Sequence, residues 1–340
     1  SEIRTIASGE RVPMEERVNN PIHEKLVESS PVQPGGEGDS TDLLRRDMID
    51  RYVYYKNRHP GRRMDVAIAP GQEPGTVALD LLVTESKPWM VYAQVSNTGT
   101  KQTEEWRERF GFIHNQLTNN DDILTVDYIT AAFDSAHAVN ASYEAPLFDL
   151  ERWRWSVYGN WAEFTASDVG FADEEFSGSS WSAGGDLIVN VFQWNETFVD
   201  VVGGVKWEHV EVRNDIIREE GREDFFLPHI GVELERVTET MTTLISADFE
   251  QSVASVSDTQ EEELVKLGRL FADEDSRRLT WFAQHSMYIE PLLWRDAWED
   301  VDTWSSSTLA HELVFITKGQ YAFASRLNPQ RERTVGGLYS

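Results

Sequence analysis

The feature that most constrains this chain is a train of amphipathic strand patterns running from about Pro88 to Phe323. Apolar and polar residues alternate over segments of about ten residues or more, and turn-rich polar stretches separate the segments. In one of them, the apolar residues Val199, Val201, Val205 and Trp207 lie opposite Asp200, Lys206 and Glu208. Period-two alternation places the apolar residues on one face of a strand. The train is typical of an antiparallel sheet large enough to close into a barrel.

We predict about eleven strands, which are longer than the usual five or six residues and long enough to cross a membrane. They lie near residues 88–97, 104–117, 122–134, 136–147, 152–165, 179–194, 197–213, 225–238, 240–254, 277–292 and 307–323. Tight connections such as 118–121 alternate with long polar ones such as 168–177 and 260–275, as in outer-membrane barrels.

Aromatic residues recur near the ends of the predicted strands, where an interfacial girdle of a membrane barrel would need them. They are Trp89, Trp106, Trp153, Trp155, Tyr158, Trp194, Trp207, Trp281 and Trp294. A soluble β-sandwich or a β-rich glycan-binding surface protein uses the same alternation, with tryptophans as sugar platforms. That class stays open as the alternative on the pattern alone.

Composition narrows the possible functions. The chain has 31 Lys and Arg against 59 Asp and Glu, a net charge of −28, so we expect no nucleic-acid partner. There is no Cys, which excludes disulfides and thiolate chemistry. We find no phosphate-binding glycine loop and no nucleophile elbow, and His209, Glu211 and His311 lack metal-ligand spacing. The sequence therefore predicts no enzyme, no cofactor and no metal.

A smaller module precedes the strand train. We predict a strand over 3–12, a short helix over 20–29 capped by Asn20 with Pro21 at its first position, and a loop over 31–40. A second helix follows, capped by Ser40 or Thr41, with Leu44, Met48, Tyr52 and Tyr55 on one face. Two strands complete the module, with alternating Met64, Val66 and Ile68 in one and Val77, Leu79, Leu81 and Val83 in the other.

The module and the strand train together resemble a POTRA domain followed by the barrel of the ShlB/FhaC/HecB family. The residues that carry the resemblance are the end of the second helix and the next strand (57–66), the last hairpin of the module (70–85), the end of the first barrel strand (95–100), the tight turn after the second (119–124) and the closing run 334–340.

The resemblance implies an α+β POTRA domain at 1–86 and a transmembrane antiparallel β-barrel at 87–340, with about eleven of the family's sixteen strands present. We therefore expect the chain to be a fragment. It implies an outer-membrane pore of two-partner (type V) secretion with its N-terminal domain in the periplasm, an outer-membrane lipid environment and a secreted exoprotein as partner. A BamA-like assembly factor of outer-membrane proteins is the competitor among barrels.

The same resemblance implies where the exoprotein and the lumen loop would bind. The expected substrate contacts are an edge strand of the POTRA sheet and the groove beside it, formed by Thr76, Val77, Leu79, Leu81, Val83, Tyr52 and Tyr55. The plainer interpretation of most of these residues is that they form the module's core. The expected lumen-loop anchor is Gly336, Gly337, Leu338, Tyr339 and Ser340.

Overall fold

The computed structural model describes residues 2–34, 44–71, 76–99, 104–148, 150–169, 174–214, 219–293 and 311–332. The strands of these residues form two sheets, one of three strands and one of eleven. By its internal contacts the chain divides into two compact units. The first comprises Ser1–Ala93, Phe110–Val126 and Ala141–Arg154, and the second Gln94–Arg109, Asp127–Asn140 and Trp155–Ser340.

The N-terminal module, residues 2–86, has the predicted order of strand, two helices and two strands. Its elements are β1 (Glu2–Gly9), α1 (Glu24–Glu28), α2 (Arg46–Lys56), β2 (Arg62–Pro70) and β3 (Val77–Glu85), with 3-10 turns at Met14–Glu16 and Pro21–His23. The strand order is β1-β3-β2. β1 runs parallel to β3 and β2 runs antiparallel to it, so β3 is the middle strand.

The core of the module lies between this sheet and the two helices. Its buried members are Leu26, Val32, Ile49, Tyr52, Met64, Leu79, Leu81 and Val83. Alternation along β3 puts every second residue on the covered face, as the sequence predicts. The predicted start of the first helical segment is also confirmed, because the Asn20 side chain accepts a hydrogen bond of 3.0 Å from the backbone N–H of Ile22.

The second helix differs from the prediction at its start and in its buried face. It begins at Arg46, and its N-cap residue Arg45 makes no side-chain cap bond. The predicted caps, Ser40 and Thr41, lie outside the described residues. Leu44 packs against the core from just before the helix, the buried residues of the helix are Ile49 and Tyr52, and Met48 is 36% exposed.

The eleven-stranded sheet confirms the predicted number of strands, and consecutive strands are hydrogen-bonded neighbours from β4 to β14. The strands are β4 (Trp89–Ser96), β5 (Arg107–His114), β6 (Ile123–Ala131), β7 (Ala136–Leu147), β8 (Leu150–Val169), β9 (Glu174–Trp194), β10 (Thr197–Asn214), β11 (Glu219–Val237), β12 (Met241–Gln251), β13 (Arg277–Tyr288) and β14 (Glu312–Tyr321). A large antiparallel sheet after a small α/β module is thus confirmed. Closure into a barrel stays a prediction.

Two predicted loops are wrong. Most of 168–177 is strand, because β8 continues to Val169 and β9 starts at Glu174. The stretch 260–275 contains a helix, α4 (Glu261–Lys266), which follows α3 (Ala254–Ser257). A further short helix, α5 (Glu290–Leu293), replaces the predicted end of the strand before it. β12 pairs with β11 only along residues 229–237, so the first half of β11 extends beyond its neighbour.

Candidate functional site

The edge assigned to β3 by sequence is wrong, because β3 is hydrogen-bonded on both sides. Leu79, Leu81 and Val83 are fully buried in the module's core. Val77 begins the strand and Thr76 precedes it, both partly covered. The position of a strand in a sheet is set by long-range pairing, which a local alternation pattern does not encode.

The two tyrosines of the predicted groove are already engaged within the first unit. The buried hydroxyl of Tyr52 donates to the carbonyl of Leu26 at 2.6 Å, and burial raises its pKa above the ordinary tyrosine range. Tyr55 donates to the carbonyl of Glu151, and the guanidinium of Arg152 lies 5.4 Å from its ring centre. Tyr52 is therefore a core residue, and Tyr55 contacts the start of β8.

The outer side of β1 is covered. The backbone N–H of Ala7 donates to the carbonyl of Arg17 at 2.7 Å, and that of Asn19 donates to the carbonyl of Thr5 at 2.9 Å. An isolated bridge joins Ile6 to Val18 in the same segment. Among the described residues of the module, β2 therefore supplies the strand edge that has no ladder partner.

The solvent exposure of the apolar face of β2 increases along the strand. Met64 is fully buried, Val66 is partly buried, and Ile68 is 56% exposed on the same face. α2 packs against β2 and carries the half-exposed Met48. An unpaired strand edge beside exposed apolar side chains is the arrangement to which an extended peptide adds as a further strand. The sequence pattern predicts this strand but does not identify it as the edge, because β2 and β3 alternate alike.

A second candidate surface lies in the second unit, where the two faces of β9–β13 differ in character. The register places paired residues on the same face. The apolar face carries Val205, Trp207, Phe226, Ile230, Val232, Ile245, Phe249 and Trp281. Several of these are large and about half exposed. The opposite face, here called the charged face, carries Asp186, Lys206, Glu208, His229, Asp248, Glu250 and Arg278.

Glu250 is the centre of an ion-pair network on the charged face. Its carboxylate lies 3.2 Å from Lys206, 2.8 Å from Arg278 and 2.7 Å from Arg331. Arg331 is buried and also donates to Ser276 Oγ at 2.5 Å. Three cations around one carboxylate satisfy charges that would be costly to bury alone. The segment 322–332 is thereby attached to this face.

The segment 252–276, which contains α3 and α4, also packs on the charged face. Leu264 and Leu267 join Val210, Phe225 and Leu227 in a buried apolar cluster. A β-carbon on Gly221 would lie 2.6 Å from the carbonyl carbon of Lys266, so only glycine admits α4 at this distance. The connection between β12 and β13 therefore packs in a defined position against β10 and β11.

The same segment covers the part of β11 that β12 leaves unpaired. The backbone N–H of Val253 donates to the carbonyl of Phe226, and the hydroxyl of Thr259 donates to that of Asp224, each at 3.0 Å. The predicted lumen-loop anchor, Gly336 to Ser340, lies outside the described residues. The last described residues of the chain lie against this segment, where Gln330 donates to the carbonyl of Leu267 at 3.0 Å.

None of the helices that the structure describes is long and apolar enough to span a membrane. Within the same residues, no group of three or more His, Cys, Asp or Glu side chains has an arrangement that could hold a metal ion.

The sequence matches a protein-family model. The model is that of the haemolysin secretion/activation protein ShlB/FhaC/HecB, and the match covers residues 75–311. The heme/hemopexin transporter protein HuxB of Haemophilus influenzae (strain 86-028NP) is 24% identical over 126 residues, which are 37% of this chain and 22% of HuxB.

Solved structures of similar fold cover almost the whole chain. CdiB from Escherichia coli has a TM-score of 0.64 and 14% identity, and the match covers 96% of this chain and 55% of CdiB. CdiB from Acinetobacter baumannii has a TM-score of 0.62 and 13% identity, covering 100% and 55%. BamA from Haemophilus ducreyi lacking POTRA domains 1–3 has a TM-score of 0.50 and 11% identity, covering 100% and 59%. The chain thus spans about half the length of these solved relatives.

Proposed function

The chain belongs to the ShlB/FhaC/HecB family of haemolysin secretion/activation proteins, and from this premise we propose that it forms part of an outer-membrane pore of two-partner secretion. The family is one of protein-secretion transporters built on outer-membrane β-barrels, and it is not an enzyme family. In the proposed function an unfolded exoprotein is captured by the N-terminal module, passes along the charged face of the large sheet and leaves the cell.

The observation that carries the membrane part of this proposal is the reversed burial of the large sheet. Large apolar side chains such as Ile230, Val232 and Trp281 face outward, whereas Glu250 and Lys206 are covered. Exposed apolar area of this extent marks a surface that contacts something other than water. An outward apolar band and a polar inner face are the pattern of strands in an outer-membrane barrel. The soluble glycan-binding alternative does not account for this arrangement.

The observation that supports the capture step is the open edge of β2. We propose that the module is a POTRA domain in the periplasm and that the exoprotein adds as a strand along β2, with apolar side chains beside Ile68 and Met48. Backbone hydrogen bonds would supply the affinity, and the apolar groove would supply the side-chain preference. Exoprotein binding thereby moves from β3, where the sequence placed it, to β2.

The lumen-loop anchor at Gly336 to Ser340 remains part of the proposal. Arg331, which precedes it in the sequence, is held on the charged face by Glu250, and this contact supports the proposal. Export and activation of the exoprotein are both functions of the family by its description, and the proposal covers export.

The test begins by identifying the exoprotein as the protein that disappears from the culture medium when the gene is deleted. A photo-crosslinking amino acid is then placed at Ile68 in the full-length protein, with Asp65 on the opposite face of β2 as the matched control. We expect a crosslink to that exoprotein at position 68 and little at 65. Secretion should fall about tenfold in Ile68→Asp and stay normal in Asp65→Ala, because a buried charge opposes docking of an apolar strand.

Three outcomes would contradict the proposal. Normal secretion by Ile68→Asp together with no crosslink at position 68 would exclude capture at β2. An unchanged medium after gene deletion would exclude the secretion function. Depletion of many outer-membrane proteins from the membrane itself would instead indicate the BamA-like assembly role, which the lower TM-score of 0.50 to BamA makes the second candidate.

A further inference from the structure

The turn between β5 and β6, residues 115–122, has a well-defined internal structure within the first unit. Gln116 Nε2 donates to Asp121 Oδ1 at 2.8 Å, and the Asp121 N–H donates back to Gln116 Oε1 at 3.0 Å. Asp122 accepts hydrogen bonds from the backbone and the hydroxyl of Thr118. Asp121 has φ +52°, in the left-handed region that non-glycine residues seldom adopt. The turn thus presents the Asp121 carboxylate in one orientation.

Arg62, the first residue of β2, binds this carboxylate with two parallel hydrogen bonds. Its Nη1 lies 2.7 Å from Asp121 Oδ1 and its Nη2 lies 2.9 Å from Oδ2. The Arg62 side chain is 4% exposed. Burial alone would raise the pKa of Asp121, but the charge and hydrogen bonds of Arg62 hold that pKa well below its usual range. The carboxylate therefore stays ionised, and removing either partner leaves a largely buried charge without its ion-pair partner.

Other parts of the module reach the same turn. Arg11, which follows β1, donates to the Asn119 side chain, and Lys25 of α1 donates to Asn120 Oδ1 at 2.5 Å. Gly61, next to Arg62, has no side chain, and a β-carbon there would lie 3.5 Å from that of Asn115. Three separate stretches of the module therefore contact the eight-residue turn between β5 and β6.

The start of β8 holds the end of α2. Lys56 Nζ lies 3.2 Å from the Glu151 carboxylate, and Tyr55 donates to the Glu151 carbonyl. Arg154 of β8 links this strand to the β5–β6 turn, since its Nη2 donates to the Asp121 carbonyl at 3.0 Å while its Nε pairs with Glu144 of β7. Asp121 thus takes part in contacts with both β2 and β8.

We propose that Arg62 and Asp121 are positioning residues for secretion: their pair fixes the β2 edge against the β5–β6 turn. A segment bound on β2 is then delivered to one place at that end of the strands. This inference rests on the proposed capture at β2 and adds the requirement that capture alone is not sufficient. Arg62 and Ile68 lie on one nine-residue strand, so any tilt at Arg62 moves the whole edge.

The experiment compares Arg62→Gln, Asp121→Asn and the double variant with Arg63→Gln in the full-length protein. Arg63 is the matched control, because it follows Arg62 on β2 and forms an exposed pair with Asp65, its side chain being 68% exposed. Spin labels on Glu24→Cys and Ser142→Cys, two exposed sites of the first unit, report the distance between the module and β7. These 340 residues contain no native Cys that would compete for the label.

We expect a narrow distance distribution in the parent and in Arg63→Gln, and a broad one in both single variants and the double variant. Secretion of the identified exoprotein should fall about tenfold in those three, because breaking a buried pair is strongly destabilising to the arrangement it holds. The crosslink from position 68 should persist. If Arg62 and Asp121 had a purely structural role, their variants would lose both the crosslink and secretion. If the two residues position the β2 edge, the variants keep the crosslink and lose secretion.

The inference is overturned if the distance distribution stays narrow in Arg62→Gln and Asp121→Asn, or if both secrete normally. If a single variant unfolds the module, the double variant decides, since it leaves no orphan charge. Parent-like secretion by a folded double variant would then exclude the positioning role. Failure of the proposed capture would look different, because the parent itself would give no crosslink at position 68.

Discussion

The N-terminal module and the part of the large sheet that belongs to the second unit follow opposite rules of burial. In the module, Leu79 and Leu81 are buried, and the ion pair between Arg63 and Asp65 is exposed. In the large sheet, Ile230 is exposed, and the network around Glu250 is covered. Both regions are built from strands with the same period-two alternation. Alternation in the sequence therefore indicates that a strand has two unlike faces. It does not indicate which of the two faces is exposed.

The two regions also differ in how their charges are stabilised. The exposed pair of Arg63 and Asp65 is solvated and contributes at most about 1 kcal/mol. On the charged face, Glu250 is surrounded by three cationic side chains, which replace the water that burial removes. A chain that buries charges in this way and exposes valines and isoleucines is suited to lipid on one side and water on the other.

The largest expected effect concerns the core of the module. Leu81→Ala should lower its free energy of unfolding by about 2–5 kcal/mol, because the cavity cannot collapse in a packed core. Leu82→Ala, the next residue on the opposite face of β3 and 36% exposed, should cost less than about 1 kcal/mol. Hydrogen exchange of the β1–β3 amides in the intact protein measures both. Equal losses would mean that β3 has no buried face.

The next effect tests the large sheet. Ile230→Arg places a charge on the apolar face and should weaken folding into lipid vesicles by about 2–4 kcal/mol. Ser246→Arg, whose register partner Glu233 shares the charged face with Asp248, should cost much less. Urea titration of vesicle-inserted protein provides the comparison. Should Ser246→Arg prove the more costly, the assignment of the two faces to lipid and water would be reversed.

A smaller effect depends on pH and is confined to the module. Burial lowers the pKa of His59 from 6.5 to about 4. Between these values the unfolded chain binds a proton that the folded module does not, so stability falls as the pH falls. From pH 7 to pH 5 the expected loss is about 2 kcal/mol.

His59→Phe should remove most of this loss, since phenylalanine does not titrate. The measurement is the urea concentration at which a protease begins to cut the module at each pH. The pKa of Asp121 is also lowered, but its contribution disappears only below the ordinary aspartate range, so it does not overlap with this window. An unchanged slope in His59→Phe would assign the pH dependence to another group.

Local signals in the sequence were sufficient for much of the fold. The Asn20 cap, the order of elements in the module and the number of strands in the large sheet all follow from propensity and alternation, and the structure confirms them. Errors arose where a distant contact decides the outcome. Residues 260–275 look polar, yet Leu264 and Leu267 make α4 amphipathic against β10 and β11, which are not neighbours in sequence.

The candidate site shows the same division. The apolar pattern of β3 was correctly recognised, but its place in the middle of the sheet follows from pairing with β1, more than seventy residues away by the register of Ile3 with Leu79. The Arg62–Asp121 pair was not predicted either. Neither residue is unusual in its own segment, and only the folded chain brings residues 59 positions apart together.

The unequal strand lengths of the large sheet have a further consequence for the cell surface. β8 to β11 contain 18 to 21 residues each, against 10 to 12 in β12 to β14. At about 3.3 Å per residue, β11 is roughly 60 Å long, about twice the hydrocarbon thickness of a membrane. In an outer-membrane pore, such strands would continue well beyond the lipid. The part outside the lipid would then be a rigid extension of the sheet, held by hydrogen bonds between strands. Insertions and deletions are harder to accommodate in such strands than in flexible loops.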